Sequence, residues 1–197
     1  MPYLLQRIIA LFFLLLSTPL LVLLFLAVKW DSSGPFIFKQ KRAGKNKKPF
    51  TMYKIRTMVE GAEKLQSRYA KLNEASGPVF KIRNEPRYTR VGKILARIAI
   101  DELPQLWNVV KGEMALVGPR PLPLYEANKV PKKFEQRFSV LPGMTSPWII
   151  KGGHGLKFDQ WMKLDLEYVK KKSLLFELKI LAQTALLIIR VAMNSGR

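Results

Sequence analysis

The sequence predicts a helix-rich α+β protein, with an apolar N-terminal membrane segment and one small domain of short strands and amphipathic helices. Three observations predict it. Residues 8–28 read IIALFFLLLSTPLLVLLFLAV, 21 residues without a charge, and a straight helix of that length is about 31 Å long, enough for a bilayer. Two β-type runs, FIF and FTMYKI, flank the turn-like AGKNKKP and read as a hairpin. Further on, Leu103, Leu106, Trp107 and Val110 recur at i, i+3, i+4 and i+7, the period of an amphipathic helix.

The apolar segment has a break at its centre. Pro19 lacks the N–H that would bond back to residue 15, so the helix bends there. Ser17 and Thr18 can return their hydroxyls to nearby carbonyls and keep them satisfied in lipid. Two topologies follow: a kinked helix that spans the membrane, or one that turns at Ser17–Pro19 and leaves by the leaflet it entered. The run is long for a signal peptide and no small-x-small cleavage site follows it. Residues 39–56 then carry many cations and no acid. The positive-inside bias puts that side in the cytoplasm, against the anionic lipids of the inner leaflet. The chain divides into 1–30, the membrane segment, and 31–197, the domain on the cytoplasmic face.

Composition narrows the chemistry. Among 197 residues there are 34 Lys and Arg against 14 Asp and Glu, a formal net charge of +20, with no cysteine and one histidine. Thiol nucleophiles, disulfides and Cys-ligated zinc are excluded. The charge implies an anionic partner: nucleic acid, an acidic membrane surface or a phosphorylated substrate. No nucleic-acid motif accompanies the basic runs. KNKK reads as a membrane-facing or solvated patch, and His154 in KGGHGL as a solvated or capping residue. Trp148 and Trp161 read as interface anchors or core.

The remaining elements follow from pattern. VEGAEKLQSRYAKLNEA reads as a helix ended by Gly77-Pro78, and RVGKILARIAI as a basic amphipathic segment. DELPQLWNVVK is a helix with Pro104 in its first turn and Gly112 as its stop. LPGMTSPW reads as a turn region, and KFDQWMKLDLEYVKK as an amphipathic helix. In the apolar C-terminal SLLFELKILAQTALLIIRVAM, Glu177, Lys179 and Arg190 argue for an interfacial or core-packed helix over a span.

Asp101 and Glu102 stand side by side at the start of a helix in this basic chain. One acid there offsets the helix dipole and caps free N–H groups. A second adds repulsion, which a divalent cation would relieve; paired hard oxygens suit Mg²⁺. The sequence also offers cations for an anionic substrate, Lys54, Arg56, Arg97 and Arg120, and a Pro-bounded glycine turn at Gly118 in LVGPRP. The pair is thus either a helix cap or part of a site for phosphoryl transfer beside a membrane.

At this point IDELPQLWNVVKGEMALVGPRP resembles the bacterial sugar transferase family, the monotopic phosphoglycosyl transferases. SSGPFIFKQKRAGKNKKPFTMYKIRTM, GPVFKIRNEPRYTRVGKIL, LPGMTS and LDLEYVKKKSLLFELKIL extend the resemblance over nearly the whole chain. It departs at Ala99-Ile100, where the family usually has Ser-Leu, at residue 96, whose usual arginine is shifted to Arg97, and over residues 146–154. The resemblance implies that Asp101 attacks a UDP-sugar, forming a phosphosugar–aspartate and releasing UMP. Undecaprenyl phosphate then takes the sugar phosphate. It further implies that Glu102 organises Mg²⁺ with Asp101 and that Arg120 contacts phosphate or nucleotide. Lys54, Arg56, Asp165 and Tyr168 occupy family-patterned positions. It also implies a re-entrant helix hairpin broken at Ser17, Thr18 and Pro19, ahead of one cytoplasmic catalytic domain with interfacial helices; a homodimer is compatible with it. The competing reading is a non-catalytic basic adaptor that binds acidic lipids or a partner protein.

Overall fold

The computed structural model describes residues 1–194, apart from the side chains of His154, Ala192 and Asn194. The apolar N-terminus forms two helices, α1 (Tyr3–Leu16) and α2 (Thr18–Asp31), which meet at Ser17. Pro19 lies in the first turn of α2, where its missing N–H has no helical acceptor to lose. Ser17 and Thr18 both donate their hydroxyls to the Leu14 carbonyl, at 2.9 and 3.2 Å. The pair bends by 57° at this break, and among the described residues no single helix is long and apolar enough to cross a membrane.

The expected hairpin forms. Strands β1 (Ile37–Ala43) and β2 (Pro49–Ile55) pair antiparallel, with Phe38 opposite Lys54 and Lys41 opposite Thr51. Helix α3 (Arg90–Arg97) and helix α4 (Gln105–Lys111) follow, with a 3-10 turn at Ile100–Glu102 between them. Gly112 ends α4 in the left-handed region, at φ 78°, as a helix stop requires. Next come β3 (Ala115–Val117), α5 (Leu124–Ala127), β4 (Gly143–Thr145) and α6 (Pro147–Ile150). The long helices α7 (Phe158–Lys171) and α8 (Leu174–Asn194) complete the fold. Among the described residues it is a helix-rich α+β arrangement with two small sheets.

Three apolar groups hold it together. Phe50 and Met52 of β2 pack with Leu106 and Val109 of α4, Ala10 of α1 and Ile180 of α8. Phe134, Phe138, Trp148, Trp161 and Met162 form a second group. Val28, Ile55 and Leu95 form a third. Both ends of the N-terminal helix pair are thereby tied to one body. At the α1 end, Gln6 Oε1 accepts the Leu116 N–H at 2.8 Å and Arg7 Nε donates to the Val110 carbonyl at 2.7 Å. At the α2 end, Val28 is in the core and Asp31 Oδ2 accepts the Val91 N–H at 2.9 Å. Between these anchors the large apolar side chains face outward, Phe12, Leu16, Leu23 and Leu26 among them.

Two expectations differ from the structure. Residues 59–75 are not an α-helix but turns with one 3-10 stretch, Ser67–Leu72. Their Glu and Lys spacing suits a helix, but of these residues only Ala62 is buried, so a helix there would have no apolar stripe to stabilise it. LPGMTSPW is not only a turn. It supplies β4, which pairs parallel with β3, Ala115 opposite Gly143 and Val117 opposite Thr145. Two glycines permit that approach. A Cβ at Gly118 would stand 2.5 Å from the Leu141 carbonyl oxygen, and one at Gly143 would stand 2.0 Å from the Gly118 nitrogen. Both distances are shorter than any backbone can accept. Gly118→Ala is therefore expected to destabilise by about 1–3 kcal/mol through overpacking, a drop of roughly 2–10 °C in a thermal melt of the detergent-solubilised chain.

Candidate active site

The site begins on β2. Its register places Lys54 beside the 3-10 turn that carries the acids. Asn108, fully buried on α4, fixes that strand: its Nδ2 donates to the Thr51 carbonyl at 2.7 Å and its Oδ1 accepts the Tyr53 N–H at 3.2 Å. The acid turn itself is set by Ala99, which adopts φ +58° in the left-handed region that disfavours side chains. This reverses the chain after α3 and aims the carboxylates back at β2.

Lys54 Nζ lies 2.6 Å from Glu102 Oε1 and 3.3 Å from Asp101 Oδ2. Arg120 Nη1 is 3.7 Å from the same Glu102 oxygen, and its guanidinium lies over the Trp148 ring at 5.4 Å. Asp101 is 5% exposed. It lines a cavity of about 740 Å³ together with Lys54, Arg120, Lys81, Tyr125 and Trp148. Glu102 lies outside that lining and borders a small adjoining space with Gln105 and Met144. The pair does not cap α4, whose N-cap is Pro104, with no side-chain cap bond.

The two carboxylates are unequal. Burial pushes Asp101 above the ordinary aspartate range; Lys54 opposes this and Glu102 adds to it. Burial also acts to raise Glu102, but Lys54 and Arg120 outweigh it and hold that carboxyl well below the usual range. Glu102 is thus the fixed negative charge that holds Lys54. Asp101 is the poorly solvated carboxylate that faces the cavity.

Lys54, Arg56, Asp101, Glu102 and Arg120 come together here. Arg56 lines the cavity, yet its guanidinium is engaged with the linker after α2, donating to Pro35 O at 2.6 Å, Ser32 Oγ at 2.7 Å and Ser32 O at 2.9 Å. The other expected residues lie elsewhere. Arg97 is exposed in the last turn of α3. Gly118 is packed against Gly143. Asp165 and Tyr168 are buried on α7, behind the strap that carries Arg120. Asp165 Oδ2 accepts from Arg137 Nε and Nη2, at 2.9 and 2.7 Å, and the same Nη2 donates to the Arg120 carbonyl at 2.8 Å. Tyr168 Oη donates to the Val117 carbonyl at 2.8 Å, with Glu177 Oε1 at 2.7 Å as its other near acceptor. The two residues hold either end of the Val117–Arg120 strap.

Arg137 and Asn108 are the supports that sequence reasoning did not single out. Asn108 carried a signal, being an amide amid the apolar run LWNVV. Arg137 carried none, since its partner lies 28 residues away. Trp148 and Trp161 belong to the core, stacked with centroids 4.7 Å apart, and both also line the cavity. Among the described residues, no group of three or more His, Cys, Asp or Glu side chains could hold a metal ion. Lys54 engages one oxygen of each acid, which leaves Asp101 Oδ1 and Glu102 Oε2 as the hard oxygens for a cation that keeps several waters and takes further oxygens from a bound phosphate.

The chain belongs to the bacterial sugar transferase family, whose model matches residues 2–191. It is similar to the galactosyl transferase CpsE of Streptococcus agalactiae, 40% identical over 77% of this chain and 34% of that protein. It is 34% identical to the undecaprenyl-phosphate galactose phosphotransferase of Salmonella typhimurium, over 90% of this chain and 38% of that protein. It is 35% identical to the exopolysaccharide production protein ExoY of Rhizobium meliloti, over 87% of this chain and 77% of that protein. The chain thus spans little more than a third of the first two relatives and most of the third.

Removing the ammonium tests the electrostatics of the pair. Lys54→Met leaves two adjacent, largely buried carboxylates without their shared countercharge, a loss on the order of 3 kcal/mol at neutral pH. Asp101, already raised, is pushed higher, and Glu102 loses the larger of the charges that hold it down. The deficit is therefore expected to shrink as pH falls and protons replace the lost charge. Denaturant unfolding of both proteins at pH 7 and pH 5 checks it.

Proposed function

We propose that this chain transfers a sugar 1-phosphate from a UDP-sugar to undecaprenyl phosphate, with Asp101 as the covalent nucleophile. The observation that carries the reading is one carboxylate, buried yet open to a cavity, sharing an ammonium with a second acid. Membership of the family supports the reaction class. The Salmonella relative's name supports the lipid acceptor.

The chemistry balances without a net proton. An Asp101 oxygen attacks the β-phosphorus of the donor. The new O–P bond forms as the bond to the bridging oxygen breaks, and UMP leaves with that electron pair. A phosphate oxygen of undecaprenyl phosphate then attacks the same phosphorus. The Asp101–phosphorus bond breaks, the carboxylate returns, and the lipid diphosphate sugar departs. Lys54 favours the ionised form of Asp101 that attack requires. Glu102 keeps Lys54 in place, and Arg120 on its braced strap meets phosphate oxygens. Asp101 and Glu102 would hold Mg²⁺, which supplies neutralisation of phosphate charge when bound. The cavity's aromatic and polar lining accepts a nucleotide sugar.

The reading extends to the membrane. Residues 1–30 are the membrane segment, a re-entrant hairpin whose outward-facing apolar middle enters one leaflet. Residues 31–197 are the catalytic domain on the cytoplasmic face of the bacterial inner membrane, its cations against anionic lipid. Docking of both helix ends on one body supports re-entry over a span. Two arms of about 21 Å each, bent by 57°, reach roughly 10 Å below the line joining their ends, short of the ~15 Å half-thickness of a hydrocarbon core.

The test is UMP release from a panel of UDP-sugars with Mg²⁺ and undecaprenyl phosphate. Asp101→Asn is expected to lose at least about 1000-fold in rate while its melting temperature holds or rises, because a buried charge is gone. Full activity in that variant, with deamidation excluded, would contradict the assignment. No UMP release with any sugar nucleotide would favour the adaptor reading. Topology is checked separately. Cysteines introduced as Pro2→Cys and Lys45→Cys, in a chain with none of its own, are expected to label from the same face of the membrane; labelling from opposite faces would restore the span.

A further inference from the structure

Among the described residues seven cations line the cavity, and most are already engaged; Arg83, for one, pairs with Glu74 at 3.6 Å. Lys54 is held by the acid pair. Arg56 clamps the 32–35 linker. Arg42 donates to the Pro121 carbonyl at 3.0 Å. Arg87 pairs with Glu85 at 2.6 Å. That leaves Arg120, with one long contact to Glu102, and Lys81. Among the described residues the Lys81 ammonium makes no ion pair and no hydrogen bond, although it lines the cavity and is half-buried.

Its backbone is firmly held. Asn73 Oδ1 accepts the Lys81 N–H at 2.8 Å, and the Lys81 carbonyl accepts the Glu74 N–H at 2.8 Å. On one side the Phe80 N–H reaches Glu126 Oε1 at 3.3 Å, and on the other Ile82 is buried. A fixed main chain thus presents an ammonium with no counter-ion to a partly desolvated space, an arrangement that an incoming anion would relieve. Its electrostatic setting agrees. Burial, then repulsion from Arg120 and Lys54, lowers the Lys81 pKa, while Glu85 and Asp101 oppose the shift.

We propose that Lys81 is a phosphate-binding residue of this cavity, its ammonium acting with Arg120 on the oxygens of a bound phosphate. The inference rests on the reading of the site as one for phosphorylated substrates. The phosphate belongs either to the nucleotide donor or to the lipid acceptor, and one experiment separates them. The full chain, its Lys81→Met, Lys81→Arg and Arg120→Met variants, and Lys151→Met as an exposed charge control are titrated with UMP by calorimetry. The KM for undecaprenyl phosphate is measured alongside.

Lys81→Met is expected to weaken UMP about tenfold, with Lys81→Arg and Lys151→Met near the parent. That result assigns the nucleotide phosphate. An unchanged UMP affinity with a KM for undecaprenyl phosphate raised about tenfold assigns the lipid phosphate. Neither change, while Arg120→Met weakens UMP, overturns the role of Lys81 and leaves the reading of the site intact. A parent chain that binds no UMP overturns both. The melting temperature of Lys81→Met is expected to hold, since no partner is lost. Lys81→Gln, which keeps a polar end, repeats the titration if that variant loses a cooperative melt.

Discussion

A single ammonium makes the acid pair possible. Two adjacent carboxylates in a largely buried turn repel each other and resist leaving water, and Lys54 answers both costs by lying against the two at once. Its unequal distances divide their roles. The closer contact holds Glu102 as the permanent negative charge. The longer one leaves Asp101 poorly solvated, raised in pKa and facing the cavity. In a chain of net charge +20, cations are plentiful; what is rare is a place where acids can be kept together and still be reached.

Much of the surrounding structure serves that geometry. Asn108 sets the register of the strand that bears Lys54. Ala99 reverses the chain so that the acids face that strand. Asp165, through Arg137, and Tyr168 brace the strap that ends in Arg120. The N-terminal helices join the same framework, since Asp31 at the end of α2 holds the start of α3, and α3 leads directly into the acid turn. Under the proposed function this gives the membrane segment a fixed relation to the nucleophile. A lipid phosphate at the leaflet surface and a soluble nucleotide can then use one carboxylate in turn.

The parts of this that were legible in the sequence are those with local causes. The β1–β2 hairpin showed in its β-type runs and turn residues, the α4 stop in Gly112, and the break between α1 and α2 in Ser17–Pro19. The acid pair and Arg120 were visible as residues, though only the fold shows that Lys54 joins them. The supports that act across sequence were not legible. Arg137 and Asp165 meet from separate elements, and β3 and β4 are three-residue strands whose pairing depends on two glycines with no periodic signal. Gly118 looked like a phosphate-approach glycine; its missing side chain is accounted for by packing against Gly143. Residues 59–75 show the opposite failure, a helical charge pattern without a buried face to fix it.

The central claim is that Asp101, and not its neighbour, becomes covalently bonded to the sugar phosphate. Peptide mass spectrometry of the chain quenched after incubation with a reactive UDP-sugar and Mg²⁺, without lipid acceptor, tests it most directly. The expected result is an increment the size of the donor's sugar phosphate on Asp101 that disappears when undecaprenyl phosphate is added before the quench. An increment on Glu102 or any other residue, or lipid-dependent product with no adduct ever trapped on Asp101, would contradict the account.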